Sequence, residues 1–152
     1  MLADSFGRVA TDLRVSVTDR CNLRCSYCIP PEGLDWLPRP ALLTDDEVSR
    51  LISLAVQQLG VTEVRFTGGE PLLRRSLPGL VAATAALRPR PEISLTTSGI
   101  GLARLARLLA DAGLDRLNRD AHSITDRRAA GAAGRSSQFL APGSLHRRGG
   151  CS

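Results

Sequence analysis

Leu13-Arg14-Val15-Ser16-Val17-Thr18-Asp19-Arg20-Cys21-Asn22-Leu23-Arg24-Cys25-Ser26-Tyr27-Cys28 is the stretch that decides how this chain is read. Its first five residues alternate apolar and polar, the period of a β-strand. Three cysteines follow at once, spaced C-x3-C-x2-C. Three thiolates on one loop can wrap a cuboidal iron–sulfur cluster and ligate three of its four irons, which leaves the fourth open for chemistry. Structural zinc is the competing reading. It normally takes four ligands, and the further donors Cys151, His122 and His146 all lie in the C-terminal tail. A disulfide scaffold would spread its cysteines along the chain rather than cluster them.

Outward from this loop, residues 29–40 carry Pro30, Pro31, Gly33, Pro38 and Pro40, which predicts an irregular connection. Thr44 with Glu47 three residues later is a capping box. Val48, Leu51, Ile52, Ala55, Val56 and Leu59 then repeat at helical spacing until Gly60. Val64 to Thr67 reads as a second strand and Gly68-Gly69-Glu70-Pro71 as the loop after it. A second helix is expected over Leu77 to Leu87, a third strand over Ile93 to Thr96, and a third helix from Leu102 to Ala112, ended by Gly113. A fourth strand is expected to start within Leu114 to Asn118. Strand and helix alternate, so the fold class is α/β, with a parallel sheet. In such sheets ligands gather at the carboxyl ends of the strands, where the cysteine loop and the glycine pair both fall.

The chain has 152 residues, a formal charge of +5 and no lysine among its 20 basic residues. Residues 119–152 hold six arginines against two aspartates and so carry +4 of that charge. The basic balance belongs to the tail, not to a folded face, and aromatics are 3% of the chain, so a nucleic-acid partner is not expected. No apolar run is long enough to span a bilayer and no secretory signal opens the chain, which predicts a cytoplasmic protein with no membrane partner. After Asn118 both periodicities fail, and residues 127–137 approach low complexity. The expected organisation is therefore a folded part, 1–118, and a poorly ordered tail, 119–152.

The C-x3-C-x2-C loop after a first strand, with an aromatic before the last cysteine and Gly68-Gly69-Glu70-Pro71 after the next strand, resembles the radical S-adenosylmethionine superfamily. The runs Asp12 to Asn22, Arg65 to Arg74, Leu95 to Gly99 and Ala112 to Asn118 narrow the match to its GTP 3′,8-cyclase family, which acts in molybdenum cofactor biosynthesis. The resemblance covers roughly residues 7–118. It implies the N-terminal portion of a partial parallel β/α, TIM-like, barrel. It implies a 4Fe–4S cluster on Cys21, Cys25 and Cys28, with S-adenosylmethionine on the open iron, cleaved by one electron to give a 5′-deoxyadenosyl radical.

By the same resemblance Tyr27 helps hold the adenine, and Gly68, Gly69 and Glu70 bind the methionine end of the cofactor. Arg14, Arg65 and Thr96 contact GTP, the implied substrate. An electron donor for the cluster is implied, and no side chain is assigned as catalytic. Read without the family, a glycine pair can equally mark a plain turn, and a lone arginine is commonly a solvated ion pair. A radical enzyme with another substrate, or a non-catalytic iron–sulfur or zinc module, are the other functional readings. Ser98 replaces the asparagine common in the family, and Asp120 stands where the family has a cofactor-contacting serine. The family's second three-cysteine cluster has no counterpart. These departures predict a truncated or frameshifted product, unstable alone and unable to cyclise GTP.

Overall fold

In the computed structural model, residues 2–3, 5–23, 25 and 35–119 are described. Element order is β1 (Leu2–Ala3), β2 (Val9–Ala10), β3 (Asp12–Ser16), α1 (Asp45–Leu59), β4 (Glu63–Thr67), α2 (Leu77–Ala85), β5 (Glu92–Thr97), α3 (Leu102–Asp111) and β6 (Arg116–Arg119). β1 and β2 form a small antiparallel pair. The remaining strands make one parallel sheet in the order β3-β4-β5-β6. Its register sets Arg14 beside Arg65, Arg65 beside Ser94, and Ser94 beside Arg116.

Each helix forms for a local reason. The Thr44 hydroxyl accepts from the Glu47 amide while the Glu47 carboxylate accepts from the Thr44 amide, so the expected capping box closes the start of α1. That backbone hydrogen bond, with the Thr44 hydroxyl, holds the Glu47 carboxyl below its ordinary value. Gly60 ends the helix at φ 80°, the left-handed conformation that costs glycine least. α2 stops at Ala85, short of the expected Leu87, and the Arg88 guanidinium donates to the carbonyls of Ala85, Ala86 and Leu87 there. β6 starts at Arg116, because the Leu114 amide still closes onto Leu109.

One apolar core joins the helices to one face of the sheet. Val64 and Phe66 of β4, and Ile93 and Leu95 of β5, are fully buried against Val48, Ile52, Ala55 and Val56 of α1, Leu77, Leu80 and Val81 of α2, and Leu109 of α3. Burying a side chain of this kind contributes about 1.5–3 kcal/mol. The alternate residues of the same strands are polar: Asp12, Arg14 and Ser16; Glu63, Arg65 and Thr67; Glu92, Ser94 and Thr96; Arg116 and Asn118. Parallel sheets are ordinarily apolar on both faces. This sheet instead turns a polar second face away from its helices, as a barrel lining would. Among the described residues no helix is long and apolar enough to cross a membrane. Of the expected tail, Arg119 closes β6, and residues 120–152 lie outside the described residues.

Candidate functional site

All four parallel strands end on the same side, so the cysteine loop, the glycine pair and the Thr97–Gly99 turn meet there. The parallel ladder continues past β3. The Val17 amide donates to the Thr67 carbonyl at 2.9 Å, the Gly69 amide to Thr18 at 2.8 Å, and the Glu70 amide to Arg20 at 2.7 Å. The cysteine loop is thus sewn to the glycine pair up to the residue before Cys21. That contact explains both glycines. A Cβ on Gly68 would stand 2.5 Å from the Thr18 carbonyl oxygen, and one on Gly69 2.4 Å from that of Arg20. The close approach made possible here is to the chain's own backbone.

Glu70 is 1% exposed, yet it is a carboxylate. Its Oε1 accepts from Thr97 Oγ1 at 2.6 Å and from the Leu72 amide at 3.1 Å. Its Oε2 accepts from the Ser98 amide at 2.9 Å and from Ser98 Oγ at 2.6 Å. A carboxylate has about four acceptor positions, and internal donors engage all four. Glu70 therefore ties the loop after β4 to the end of β5. Ser98 supplies two of the four donors. Arg74 performs a similar task nearby. It donates to Asp45, Ser76 and the carbonyls of Val17 and Leu43, which locks the end of β3 to the start of α1.

Cys21 and Cys25 are half-buried thiols outside any disulfide. The Leu23 amide donates to the Cys21 sulfur at 3.4 Å, the kind of hydrogen bond that tunes a ligating thiolate. Two thiols on one loop, one with an amide aimed at its sulfur, fit the donor set of an iron–sulfur cluster. Cys28 and Tyr27 lie outside the described residues. Among the described residues no group of three metal-binding side chains is formed.

The two arginines differ. Arg65 is held between Asp12 at 3.0 Å and Glu63 at 2.9 Å. The hydrogen bond it donates to Glu63 and the charge of Asp12 raise its pKa. Its buried Nε has no partner among the described residues. Glu63 also takes Arg116 at 2.8 Å and Ser94 Oγ at 3.3 Å. The hydrogen bond from Arg65, above all, holds the Glu63 carboxyl below its ordinary value. Arg14, its neighbour in register, is exposed and makes no ion pair among the described residues. Thr96 lies on the same polar face, opposite Asn118. The structure therefore places Arg14, Arg65 and Thr96 on one surface, beneath the loops that carry Cys21, Cys25 and Gly68 to Glu70.

Neither the Glu63–Arg65–Arg116 network nor the set of partners around Glu70 is legible in the sequence. Both depend on strand register, which no local pattern reports.

A family model described as the radical SAM superfamily matches residues 15–141. The chain is 69% identical over 123 residues to the GTP 3′,8-cyclase 2 of Mycobacterium tuberculosis, covering 81% of this chain and 34% of that one. It is 68% identical over 118 residues to the GTP 3′,8-cyclase of Streptomyces coelicolor, covering 78% of this chain and 35% of that one. The chain thus spans about a third of the length of the curated relatives it matches. Among solved structures, BtrN in complex with AdoMet and 2-DOIA superposes with a TM-score of 0.58 at 22% identity, covering 72% of this chain and 45% of that chain. This likeness shows the fold, a parallel α/β sheet with helices on one face.

Proposed function

The chain belongs to the radical SAM superfamily, and we propose that it carries the cluster-binding and cofactor-binding part of a GTP 3′,8-cyclase of molybdenum cofactor biosynthesis. That reaction converts GTP to (8S)-3′,8-cyclo-7,8-dihydroguanosine 5′-triphosphate, a lyase-class step. The observation that carries the proposal is convergence. Cys21, Cys25, the glycine pair and Glu70 share the carboxyl edge of the sheet, and Arg14, Arg65 and Thr96 share the polar face below it. The identity to the cyclases of Mycobacterium tuberculosis and Streptomyces coelicolor supports this substrate over another.

In this reading Cys21, Cys25 and Cys28 hold a 4Fe–4S cluster, and Tyr27 with the Gly68–Glu70 segment holds S-adenosylmethionine. When bound, this pair supplies one-electron cleavage chemistry, with the electron coming from a separate donor. The chain's own residues supply position. Glu70 and the glycine pair fix the loop edge before any ligand arrives, so little ordering remains to be done on binding. Arg14 offers an uncommitted guanidinium to an anionic group, and Arg65 presents its buried Nε from a fixed orientation. Thr96 adds a hydroxyl one row closer to the loops. The protein acts in the cytoplasm.

Anaerobic reconstitution of the 152-residue chain tests the proposal. A four-iron cluster whose electron paramagnetic resonance signal changes with S-adenosylmethionine, together with saturable GTP binding that Arg14→Ala weakens, is the expected result. Stoichiometric zinc without iron would overturn it in favour of a structural module. A cluster that responds to S-adenosylmethionine with no GTP binding would overturn the substrate assignment alone.

A further inference from the structure

Asp19 stands two residues before Cys21, and the cluster-ligand assignment gives it no role. Its Oδ2 accepts from the Leu37 amide at 2.6 Å. This contact joins the two ends of the segment that holds Cys21, Cys25 and Cys28. On the near side Asp19 has almost no freedom. The Thr18 carbonyl holds the Gly69 amide, the Arg20 carbonyl holds the Glu70 amide, and the Arg20 amide donates to Thr18 Oγ1 at 3.2 Å. The missing Cβ of Gly69 leaves room that the Arg20 carbonyl and, next to it, the Asp19 carbonyl fill. The carboxylate is thus aimed from a rigid platform. On the far side Leu37 is half exposed and precedes Pro38, in a stretch with no regular structure. Among the described residues the Asp19 contact is the hydrogen bond that ties Leu37 to the end of β3.

From this geometry we infer that Asp19 is a positioning residue that closes the cysteine loop. Closing a loop of this length costs entropy that grows slowly with its number of residues, and a loop already closed presents its thiolates with less of that cost outstanding. A charge-assisted hydrogen bond to a backbone amide is among the stronger single contacts available for the purpose. The other carboxylate oxygen, Oδ1, is buried and has no partner among the described residues. A buried acceptor left so is costly. The inference rests on the cluster reading above and adds a residue to it.

The test compares the full wild-type chain with Asp19→Asn, Asp19→Ala and Leu37→Pro, and with the Asp19→Ala/Leu37→Pro double variant. Leu37→Pro removes the donor from the opposite end of the same bond. After anaerobic reconstitution, iron per chain and the rate of iron loss to a chelator are read, with far-UV circular dichroism as the check on folding. Asp19→Ala and Leu37→Pro should each speed iron loss by about tenfold or more, the scale of outer-shell substitutions at metal sites. Asp19→Asn, which keeps one acceptor oxygen, should fall between. The double variant should be no worse than the worse single, because both remove one contact.

Hydrogen exchange at the Leu37 amide should be slowed in the wild-type chain, with or without cluster, and not in Asp19→Ala. Equal iron retention in all variants, additive effects in the double variant, or a fast-exchanging Leu37 amide in the wild type would overturn the inference. If the wild-type chain took up no cluster, the cluster reading would fail, while the exchange measurement would still decide the role of Asp19.

Discussion

Replacing Glu70 separates a carboxylate that holds the structure together from one that merely lies beside it. Its four hydrogen bonds divide into two kinds. Thr97 Oγ1 and Ser98 Oγ are hydroxyls, which can turn toward other acceptors. The Leu72 and Ser98 amides cannot turn, because the backbone fixes their direction. In Glu70→Gln the retained oxygen can serve the Thr97 and Leu72 donors or the two Ser98 donors, but not both pairs. Whichever way the amide sits, one backbone N–H faces an NH2 group and loses its partner. A buried donor stranded in this way costs about 1–3 kcal/mol. In Glu70→Ala both amides are stranded, so the cost is about 2–6 kcal/mol, before counting the space left by the side chain. Urea unfolding followed by far-UV circular dichroism should therefore rank wild type above Glu70→Gln above Glu70→Ala, with the alanine loss about twice the glutamine loss. Two variants within about 0.5 kcal/mol of wild type, the range of unremarkable surface changes, would refute the reasoning, because they would show that water or a repacked loop satisfies those amides.

Gly69→Ala should leave the helices intact but push the Arg20 carbonyl away, since its Cβ would stand 2.4 Å from that oxygen; reconstituted iron per chain should drop while the far-UV spectrum is unchanged. The Asp45 carboxyl is raised by burial, but the Arg74 and Ser76 hydrogen bonds and the Arg74 charge outweigh this and hold it below its ordinary 3.8. Its contribution to stability is thus present above that value and lost as pH falls through the lowered one. Between about pH 5 and about pH 3 the wild-type urea midpoint should fall more steeply than that of Asp45→Asn, and parallel slopes would count against the Arg74 link. Arg14→Ala should weaken GTP binding by about tenfold, the scale of one charge-assisted hydrogen bond, without shifting the urea midpoint. Arg65→Ala should do both, since it leaves Asp12 and Glu63 without the cation between them. Titration calorimetry beside denaturation checks the contrast, and an identical response from the two variants would remove it.

What the sequence disclosed and what it withheld follow from the range of the interactions involved. The capping box at Thr44 and Glu47, the Gly60 stop and the apolar stripe of α1 are all readable within one short window, and the structure forms them as expected. The four parallel strands were legible because each is a short apolar alternation followed by turn residues. The β1–β2 pair was not, since two residues a side are too few to show a period. Glu70 could be picked out as part of a motif, but its partners Thr97 and Ser98 lie 27 and 28 residues away. Only the register of β4 against β5 brings them near. The polar lattice around Glu63 has the same origin, for Arg65 and Asp12 are 53 residues apart. The glycine pair was legible as a place of close approach, but the sequence could not say that the approaching group is the chain itself.

The alternation that makes one sheet face polar also sorts that face into bands across the strands. Asp12, Glu63 and Glu92 form an acidic band at the amino edge. Arg14, Arg65 and Arg116, with Ser94, form a basic band next to it, and Ser16, Thr67, Thr96 and Asn118 form an uncharged band under the loops. Successive bands lie about 7 Å apart, two residues of strand rise. On the function proposed above, an anion entering from the loop side would cross hydroxyls and meet Arg14, which makes no ion pair among the described residues, while Arg65 and Arg116 are paired with the acidic band beyond. Strand register would then work as a depth gauge, fixing how far a negatively charged group sinks and so how high above it the uncharged end of the same molecule rides.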